Sequence, residues 1–151
     1  MSAAASFEIA TDLSRIDLNK VHVWLSTDAY WALGRPLEVV QRAAEASLNF
    51  GAFDEHGDLR GYARLVTDGA TFGWLCDVYV ERACRGQGLG ILLAEAVVEA
   101  VRPMGLKRLL LMTQHSHSLY ERVGFEVFPE PHKVMSLTLN KQPPSVITRD
   151  T

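Results

Sequence analysis

The fold is decided by residues 72–102, FGWLCDVYVERACRGQGLGILLAEAVVEAVR. Residues 72–80 are mostly apolar, aromatic or β-branched, and this composition predicts a largely buried strand that contains one acidic residue, Asp77. Further on, apolar residues recur every three or four positions, which predicts a helix with one apolar face. The members of that face are Leu89, Leu92, Leu93, Ala96, Val97, Ala100 and Val101. Strand, glycine loop and helix therefore follow one another without a gap.

The loop between strand and helix has glycine at every second position, at Gly86, Gly88 and Gly90. Glycine has no Cβ, so a ligand can approach the backbone closely where the chain turns into the helix. The first amides of a helix lack intrahelical partners and carry the positive end of the helix dipole. The loop is therefore predicted to bind an anion such as a phosphate.

Three phosphate-binding patterns compete for this loop. A P-loop requires GxxxxGK[ST], and no Lys-Ser or Lys-Thr follows these glycines. A dinucleotide-binding loop requires GxGxxG and an acidic residue about 20 positions further on. The spacing here is GxGxG, and apolar residues 109–111 stand at that distance. The remaining pattern is RxxGxG, formed by Arg85, Gly88 and Gly90.

RxxGxG between a strand and a helix resembles the acyl-CoA-binding motif of the GNAT superfamily of N-acyltransferases. Val78 and Val80, which precede it, fit the family's strand-to-loop pattern, whereas Arg82 stands where that pattern often has proline. Downstream, residues 119–125 read LYERVGF and resemble the LYExxGF run of the same family. The two motifs have the family's order and separation, and the resemblance extends over about residues 6–139.

The resemblance implies an α/β (α+β) fold, in which a mixed, mostly antiparallel twisted sheet is flanked by helices and splays where acyl-CoA enters. The residue pattern agrees with it, because three consecutive antiparallel strands are predicted before the glycine loop, at about residues 49–53, 59–66 and 72–80. A Rossmann domain would instead enter its loop through a βαβ unit.

The remaining elements are predicted from periodicity and turn residues. A short strand is expected around Phe7 and Ile9, followed by a helix that starts near residues 11–14 and ends near 26–28. Pro36 is placed to open a second helix. A buried strand is expected at 107–112, and then a short helix that carries Tyr120 and ends at Gly124. Two closing strands are predicted at 125–128 and 134–139.

Length and composition predict a single domain over residues 1–140, with a flexible tail over 141–151. The net charge of −3 argues against a large nucleic-acid interface. There is neither an apolar run long enough to span a bilayer nor a basic start followed by an apolar stretch, so a cytoplasmic protein without a membrane contact is expected. The two cysteines lack CxxC spacing and predict neither a disulfide framework nor a metal site.

The resemblance implies that acetyl-CoA is the co-substrate and that its pyrophosphate lies on the loop amides. The cofactor-binding residues expected on this basis are Val78, Val80, Arg85, Gly86, Gln87, Gly88, Leu89 and Gly90. In such a site, a backbone N–H near Val78 would polarise the thioester carbonyl.

Aromatic residues suggest where the acceptor binds. The segment between the first two helices commonly forms a wall of the acceptor site in GNAT folds, and the resemblance therefore makes Tyr30, Trp31 and Arg35 substrate-binding candidates. Trp74 and His117 are further candidates. An equally open reading is that these aromatic residues pack into the core.

Acyl transfer to an amine requires a base for the amine and an acid for the departing thiolate. The resemblance implies that Tyr120 is the acid, the alternative being a tyrosine that only packs. Asp77 is the first candidate for the base, because burial raises the pKa of a carboxyl group. Its side chain reaches the cleft only if a local bulge interrupts the strand. His117 and Glu81 are the alternatives. His115 and His117 form a weak metal-binding pattern, and no metal is expected.

The sequence therefore predicts an acetyl-CoA-dependent N-acetyltransferase that acts by direct transfer on a primary amine of a small molecule or amino acid. One alternative is a non-catalytic module that senses acyl-CoA, and another is an acetyltransferase that modifies a protein amine. Many members of the family dimerise, so a homodimer is one expected assembly.

Overall fold

A computed structural model describes residues 6–140. The predicted tail at 141–151 lies outside these residues. Within them the chain forms one sheet in the strand order β1-β2-β3-β4-β5. The strands are β1 Glu8–Ala10, β2 Leu48–Phe53, β3 Leu59–Thr67, β4 Phe72–Val80 and β5 Arg108–Leu111. Neighbours up to β4 are antiparallel, and β4 and β5 are parallel. The predicted mixed, mostly antiparallel sheet is confirmed.

Helices lie on both faces of this sheet. They are α1 Leu18–Asp28, α2 Leu37–Glu45, α3 Leu89–Val101 and α4 His117–Val123. The first helix begins later than predicted, because Asp12 caps a short 3₁₀ turn and Asp17 accepts the amides that start α1. No helix among residues 6–140 combines the length and the apolar character that crossing a membrane requires.

Two buried clusters fix the layers. One lies between the sheet and α1 and α2 and contains Ile16, Val21, Trp24, Leu25, Ala29, Ala32, Val40, Phe53, Leu59, Tyr62 and Tyr79. The other lies between the sheet and α3 and contains Phe50, Ala52, Ala63, Leu65, Leu75, Leu89, Leu93, Val97 and Val101. The helix face predicted from the apolar spacing after the loop is thus packed against the sheet.

A bulge in β4 changes the face to which its side chains point. Leu75 packs on the α3 side, whereas Tyr79 packs on the α1 side. Strict alternation would put both on one face. The register to β3 shifts between Tyr62 and Arg64, and Asp77 has a φ of 53°. This is the bulge on which the orientation of Asp77 was expected to depend, and it directs that side chain towards the α1–α2 connection.

The sheet opens between β4 and β5. Residues 72–75 of β4 pair with 108–111 of β5, and within the described residues the rest of β4 is paired only with β3. The splay therefore begins at Cys76, immediately before the bulge, and it leaves the end of β4 accessible at the glycine loop.

The two predicted closing strands are wrong, since residues 125–128 and 134–139 are not in strands. Pro129 and Pro131 lie in the segment between them, and a 3₁₀ turn at Pro131–Lys133 takes the place of a hairpin turn that would pair 125–128 with 134–139. As a consequence, β5 is the edge of the described sheet. It is partly exposed and not buried as expected.

Candidate active site

The glycine loop presents open backbone amides at the start of α3. Gly86 and Gly88 have φ angles of 82° and 79°, and a Cβ at either would meet no described atom within 4 Å. Gly88 is the N-cap of α3 and supplies no side-chain cap. Consecutive amides in such a turn, together with a helix N-terminus, form a concave site for an anion. The loop therefore has the geometry of a phosphate-binding site.

Leu89 and Gly90, two of the predicted cofactor-binding residues, contribute to the packing of the helices. The side chain of Leu89 belongs to the core, where the residue is 2% exposed. A Cβ at Gly90 would lie 2.8 Å from Cδ1 of Leu119 in α4. The absence of a side chain at Gly90 thus lets α4 approach α3, and only the backbone of these two residues is available to a ligand.

The loop arginine is held by the end of α1. Arg85 donates from Nε to the carbonyl oxygen of Val80 at 2.9 Å and from Nη2 to Asp28 at 3.3 Å. Asp28 also accepts hydrogen bonds from Arg82 and from the hydroxyl of Tyr79. These hydrogen bonds hold the pKa of Asp28 below its ordinary value, and the bond from Arg82 has the largest effect. Asp28 connects the phosphate loop to the segment that carries the acceptor candidates.

Three side chains converge on the carboxylate of Asp77, which is only 3% exposed. Trp31 donates from Nε1 to Oδ1 at 2.9 Å, and Arg35 donates from Nη1 to Oδ2 at 2.8 Å. Arg64 in β3 donates from Nε to the same Oδ2 at 3.0 Å. The structure thus brings the predicted residues Trp31, Arg35 and Asp77 into one cluster.

The pKa of Asp77 is opposite to the expectation. Burial acts to raise it, but the charges of Arg35 and Arg64 and the hydrogen bonds from Arg35 and Trp31 outweigh burial, and the pKa lies below its ordinary value. Asp77 is therefore ionised at neutral pH, with its oxygens already occupied. A carboxylate in this state is a weak proton acceptor, which is the physical reason to correct its assignment as the base.

Aromatic contacts extend this cluster to His115, shortly before α4. The ring of Trp31 lies edge-on to Tyr30 at 5.0 Å between centroids, and Tyr30 lies 6.2 Å from the ring of His115. Burial, and secondarily the nearby Tyr30, raise the pKa of Tyr120 to about 12. The phenol of Tyr120 is therefore protonated at neutral pH and able to donate a hydrogen bond.

The other two acceptor candidates lie elsewhere. Trp74 and His117 line a cavity of about 950 Å³ between β5, α4 and the irregular segment that follows α4. Tyr120 also lines this cavity. The five acceptor candidates thus fall into two groups, and Tyr120 is adjacent to both.

The alternative bases differ in their surroundings. Glu81 is half-buried and forms an ion pair with Arg60 at 2.6 Å, so its carboxylate is already engaged. His117 is exposed at the start of α4. Within residues 6–140, no three His, Cys, Asp or Glu side chains form a group that could hold a metal ion.

Sequence reasoning missed Asp28, Arg64 and the position of His115 beside Tyr30. Arg64 carried a signal, because a charged residue inside the apolar strand Tyr62–Val66 needs a buried partner. Asp77 offered one in the next strand. Asp28 and His115 lie in polar segments without a recognisable pattern, so only the fold brings them to the site.

The chain is similar to known proteins in both sequence and structure. Residues 18–125 match the sequence model of the Acetyltransferase (GNAT) family. A crystal structure of a GNAT-family protein from Xanthomonas campestris pv. campestris is 37% identical, with a TM-score of 0.84, and the match covers 91% of this chain and 96% of that one.

Two curated proteins are more distant. A Gibberella zeae protein, provisionally named an acetyltransferase, is 26% identical over 81% of this chain and 80% of its own length. The L-methionine sulfoximine/L-methionine sulfone acetyltransferase of Pseudomonas aeruginosa is 28% identical over 74% of this chain. That match spans 62% of the Pseudomonas enzyme, less than two thirds of its length.

Proposed function

The chain belongs to the GNAT family of acetyltransferases, and on that premise we propose that it moves an acetyl group from acetyl-CoA directly to a primary amine of a small molecule or amino acid. The observation that carries the proposal is the open amide loop at the splayed end of β4, with Tyr120 in α4 packed nearby. The family is one of acyltransferase enzymes, whereas the donor and the acceptor are the proposed part.

The loop residues fit acetyl-CoA. Cβ atoms at Gly86 and Gly88 would stand in open space, so the neighbouring amides at the start of α3 are accessible and suit a pyrophosphate. We assign the strand edge at Val78 and Val80 to the pantetheine arm, where a backbone N–H can polarise a carbonyl. Acetyl-CoA would supply the activated thioester; the chain supplies orientation, hydrogen bonds and proton transfer.

Tyr120 is proposed to donate to the departing sulfur. Its pKa of about 12 keeps the hydroxyl protonated over the whole range in which enzymes are usually assayed. Its ring packs edge-on against Phe125 at 5.8 Å, and this contact restricts where the hydroxyl can point. A partly buried phenol whose ring is held by Phe125 supports this role.

The base is proposed to be a histidine and not Asp77. His117 precedes Tyr120 by one helical turn, and His115 lies next to Tyr30 on the acceptor side. Both side chains are exposed and can pass a proton to solvent. Asp77 instead positions Trp31 and Arg35 through the hydrogen bonds described above.

The acceptor is proposed to be small. Tyr30 and Trp31 are 52% and 43% exposed, and they offer an aromatic surface beside the catalytic tyrosine. The Pseudomonas relative is named for an amino acid derivative, which supports an amino acid among the acceptors. There are two competing functions. One is acetylation of a lysine side chain of a protein, and the other is that of a sensor module, which binds acyl-CoA without turnover.

Assembly and location belong to the same proposal. We assign the enzyme to the cytoplasm as a homodimer that needs neither nucleic acid nor membrane. The net charge of −3 supports the absence of a nucleic-acid partner. The exposed apolar side chains after α4 support self-association.

The test begins with calorimetric titration of the full chain with acetyl-CoA and with free CoA. Thiol release is then measured with acetyl-CoA over a panel of amines, amino acids and a lysine-containing peptide. We expect micromolar binding and turnover with at least one small amine. Binding without turnover across the panel would favour the sensor, turnover with the peptide alone would favour a protein acceptor, and no binding would contradict the proposal.

A further inference from the structure

The cluster at Asp77 contains more positive than negative charge. Two guanidinium groups, of Arg35 and Arg64, contact the single carboxylate of Asp77. Among residues 6–140, Asp77 is the one acidic group that forms an ion pair with either arginine. Arginine is always charged in proteins. The cluster therefore has a net charge of one positive unit within a partly buried part of the sheet.

The two arginines differ in how far they are engaged. Arg64 is 15% exposed, and it donates to Asp77 and also to the hydroxyl of Ser47. The side chain of Arg35 is 21% exposed, and the one hydrogen bond of its guanidinium within the described residues goes from Nη1 to Asp77. A guanidinium has several more N–H donors in a planar fork. Arg35 is thus the less engaged and the more exposed of the two arginines.

A purely structural role does not account for Arg35. Arg64 already neutralises Asp77 from the neighbouring strand, and Trp31 already attaches the α1–α2 connection to the same carboxylate. A second arginine adds desolvation cost without a second carboxylate to offset it. An anion that arrives with a ligand would complete the cluster and use the fork bidentately.

The position of Arg35 identifies that ligand. Asp77 is next to Val78, where the donor's carbonyl is assigned. Trp31 shares Asp77 with Arg35, and its contact with Tyr30 leads to His115, shortly before the helix that carries Tyr120. An acceptor whose amine lies near the end of β4 would therefore bring a neighbouring group to Arg35. That group must be anionic and planar to use the fork.

We propose that Arg35 binds a carboxylate of the acceptor, and that the acceptor is an α-amino acid whose side chain rests on Tyr30 and Trp31. This inference rests on the proposed acetyl transfer and narrows its acceptor class. The amine of such a molecule lies two bonds from the carboxylate carbon, so a fixed carboxylate also fixes the nucleophile.

The first experiment uses the wild-type chain and matched acceptors. Each member of a panel of L-amino acids is compared with its α-carboxamide and with its decarboxylated amine, for example L-methionine, L-methioninamide and 3-(methylthio)propylamine. Amidation lowers the pKa of the amine, so kcat/KM is compared per unprotonated amine. We expect the acid to exceed both neutral partners by roughly 10- to 100-fold, as for a hydrogen-bonded charge pair.

The second experiment changes the arginine. Arg35→Gln is expected to raise KM for the best amino acid by roughly 10- to 100-fold and to leave KM for its carboxamide within about threefold. Arg35→Lys retains the charge without the fork and should fall between the two. Arg42→Gln, an exposed arginine of α2, is the matched control and should leave both constants unchanged.

The outcomes separate the two proposals. If neutral amines react as well as the acids, the carboxylate site is wrong and acetyl transfer stands. If the acids are preferred and Arg35→Gln keeps that preference while folded by circular dichroism, another residue binds the carboxylate and the assignment fails. If acetyl-CoA does not bind the wild-type chain, the proposed function and this inference fail together.

Discussion

At the scale of single residues, Asp77 decides how the α1–α2 connection is held against β4. It has a left-handed φ of 53°, which is unfavourable for a residue with a Cβ. Hydrogen bonds from Trp31, Arg35 and Arg64 hold it there. The carboxylate therefore fixes the bulge of β4 and the α1–α2 connection together, and its removal should loosen both.

We predict that Asp77→Asn lowers the free energy of unfolding at pH 7 by about 2 to 3 kcal/mol, since it leaves two arginines without their carboxylate. The folded pKa of Asp77 lies below the ordinary value of 3.8, so its stabilisation is full above that pH and is lost as the pH falls through the folded pKa. The difference between wild type and variant should therefore shrink below about pH 4.

Urea unfolding of both proteins from pH 7 down to the lowest pH at which wild type stays folded measures this difference. Asp58→Asn is the control, because the side chain of Asp58 is 61% exposed and its contact with Arg60 is 3.6 Å long. It should change stability by less than about 0.5 kcal/mol. A difference for Asp77→Asn that does not vary with pH would show that its charge is not what stabilises the fold.

Tyr120 carries the second residue-level prediction. Tyr120→Phe should lower kcat by roughly 100-fold, since it removes a proton donor, and should leave the Kd for acetyl-CoA within about threefold. With wild type, the rate should rise as the amine loses its proton and show no decline caused by Tyr120 up to about pH 10, because its pKa is about 12. Retained kcat in the variant would reduce Tyr120 to a packing residue.

At the scale of elements, the strand–loop–helix unit was predictable and its electrostatics was not. β4 spans Phe72–Val80 as the composition indicated, and α3 begins at Leu89 after glycines whose positive φ angles suit the turn. The pKa of Asp77 was misjudged because its partners lie 42 and 13 positions away in the chain. Local periodicity reports which face is buried, and it contains no information about which distant charge meets it.

Gly88 and Gly57 both have a positive φ, but only Gly88 should contribute to acetyl-CoA binding. Gly88→Ala places a Cβ in open space beside the amides at a φ of 79°, at a strain of about 1 to 2 kcal/mol. It should weaken acetyl-CoA binding by more than roughly 10-fold, as measured by calorimetry. Gly57→Ala is the matched control, because Gly57 has a φ of 82°, similar open space and a position in the β2–β3 turn. It should lose comparable stability without losing affinity.

Gly90→Ala tests the packing of α4. Its Cβ would lie 2.8 Å from Cδ1 of Leu119, the residue before Tyr120. The gain of about 1 kcal/mol in helix propensity opposes the cost of displacing Leu119, so the melting temperature should change little. The displacement moves Tyr120, and kcat should fall more than acetyl-CoA affinity. A loss of affinity as large as that of Gly88→Ala would instead show that a Cβ at Gly90 obstructs the ligand directly.

At the scale of the whole molecule, prediction failed for the two closing strands at 125–128 and 134–139. Residues 134–139 alternate in the way that predicts a strand, yet they have no ladder within the described residues, and β5 has a partner on one side only. Alternation states which residues share a face. It does not supply the neighbouring strand, which must come from a different part of the same chain or from a second copy.

The same end of the molecule gives the last prediction. Met135, Leu137 and Leu139 are 92%, 84% and 83% exposed, and an exposed alternating apolar segment favours association, as does the open edge of β5. A two-fold axis would let this surface pair with its own copy, which is the commonest closed assembly. We therefore expect a homodimer in sedimentation equilibrium, and a monomer when Met135 and Leu137 are both replaced by lysine.

The control is Val23→Lys in α1, where the side chain is 55% exposed; this variant should leave the dimer intact. A wild-type monomer at high micromolar concentration would contradict the dimer. Dissociation by Val23→Lys would instead assign the interface to α1.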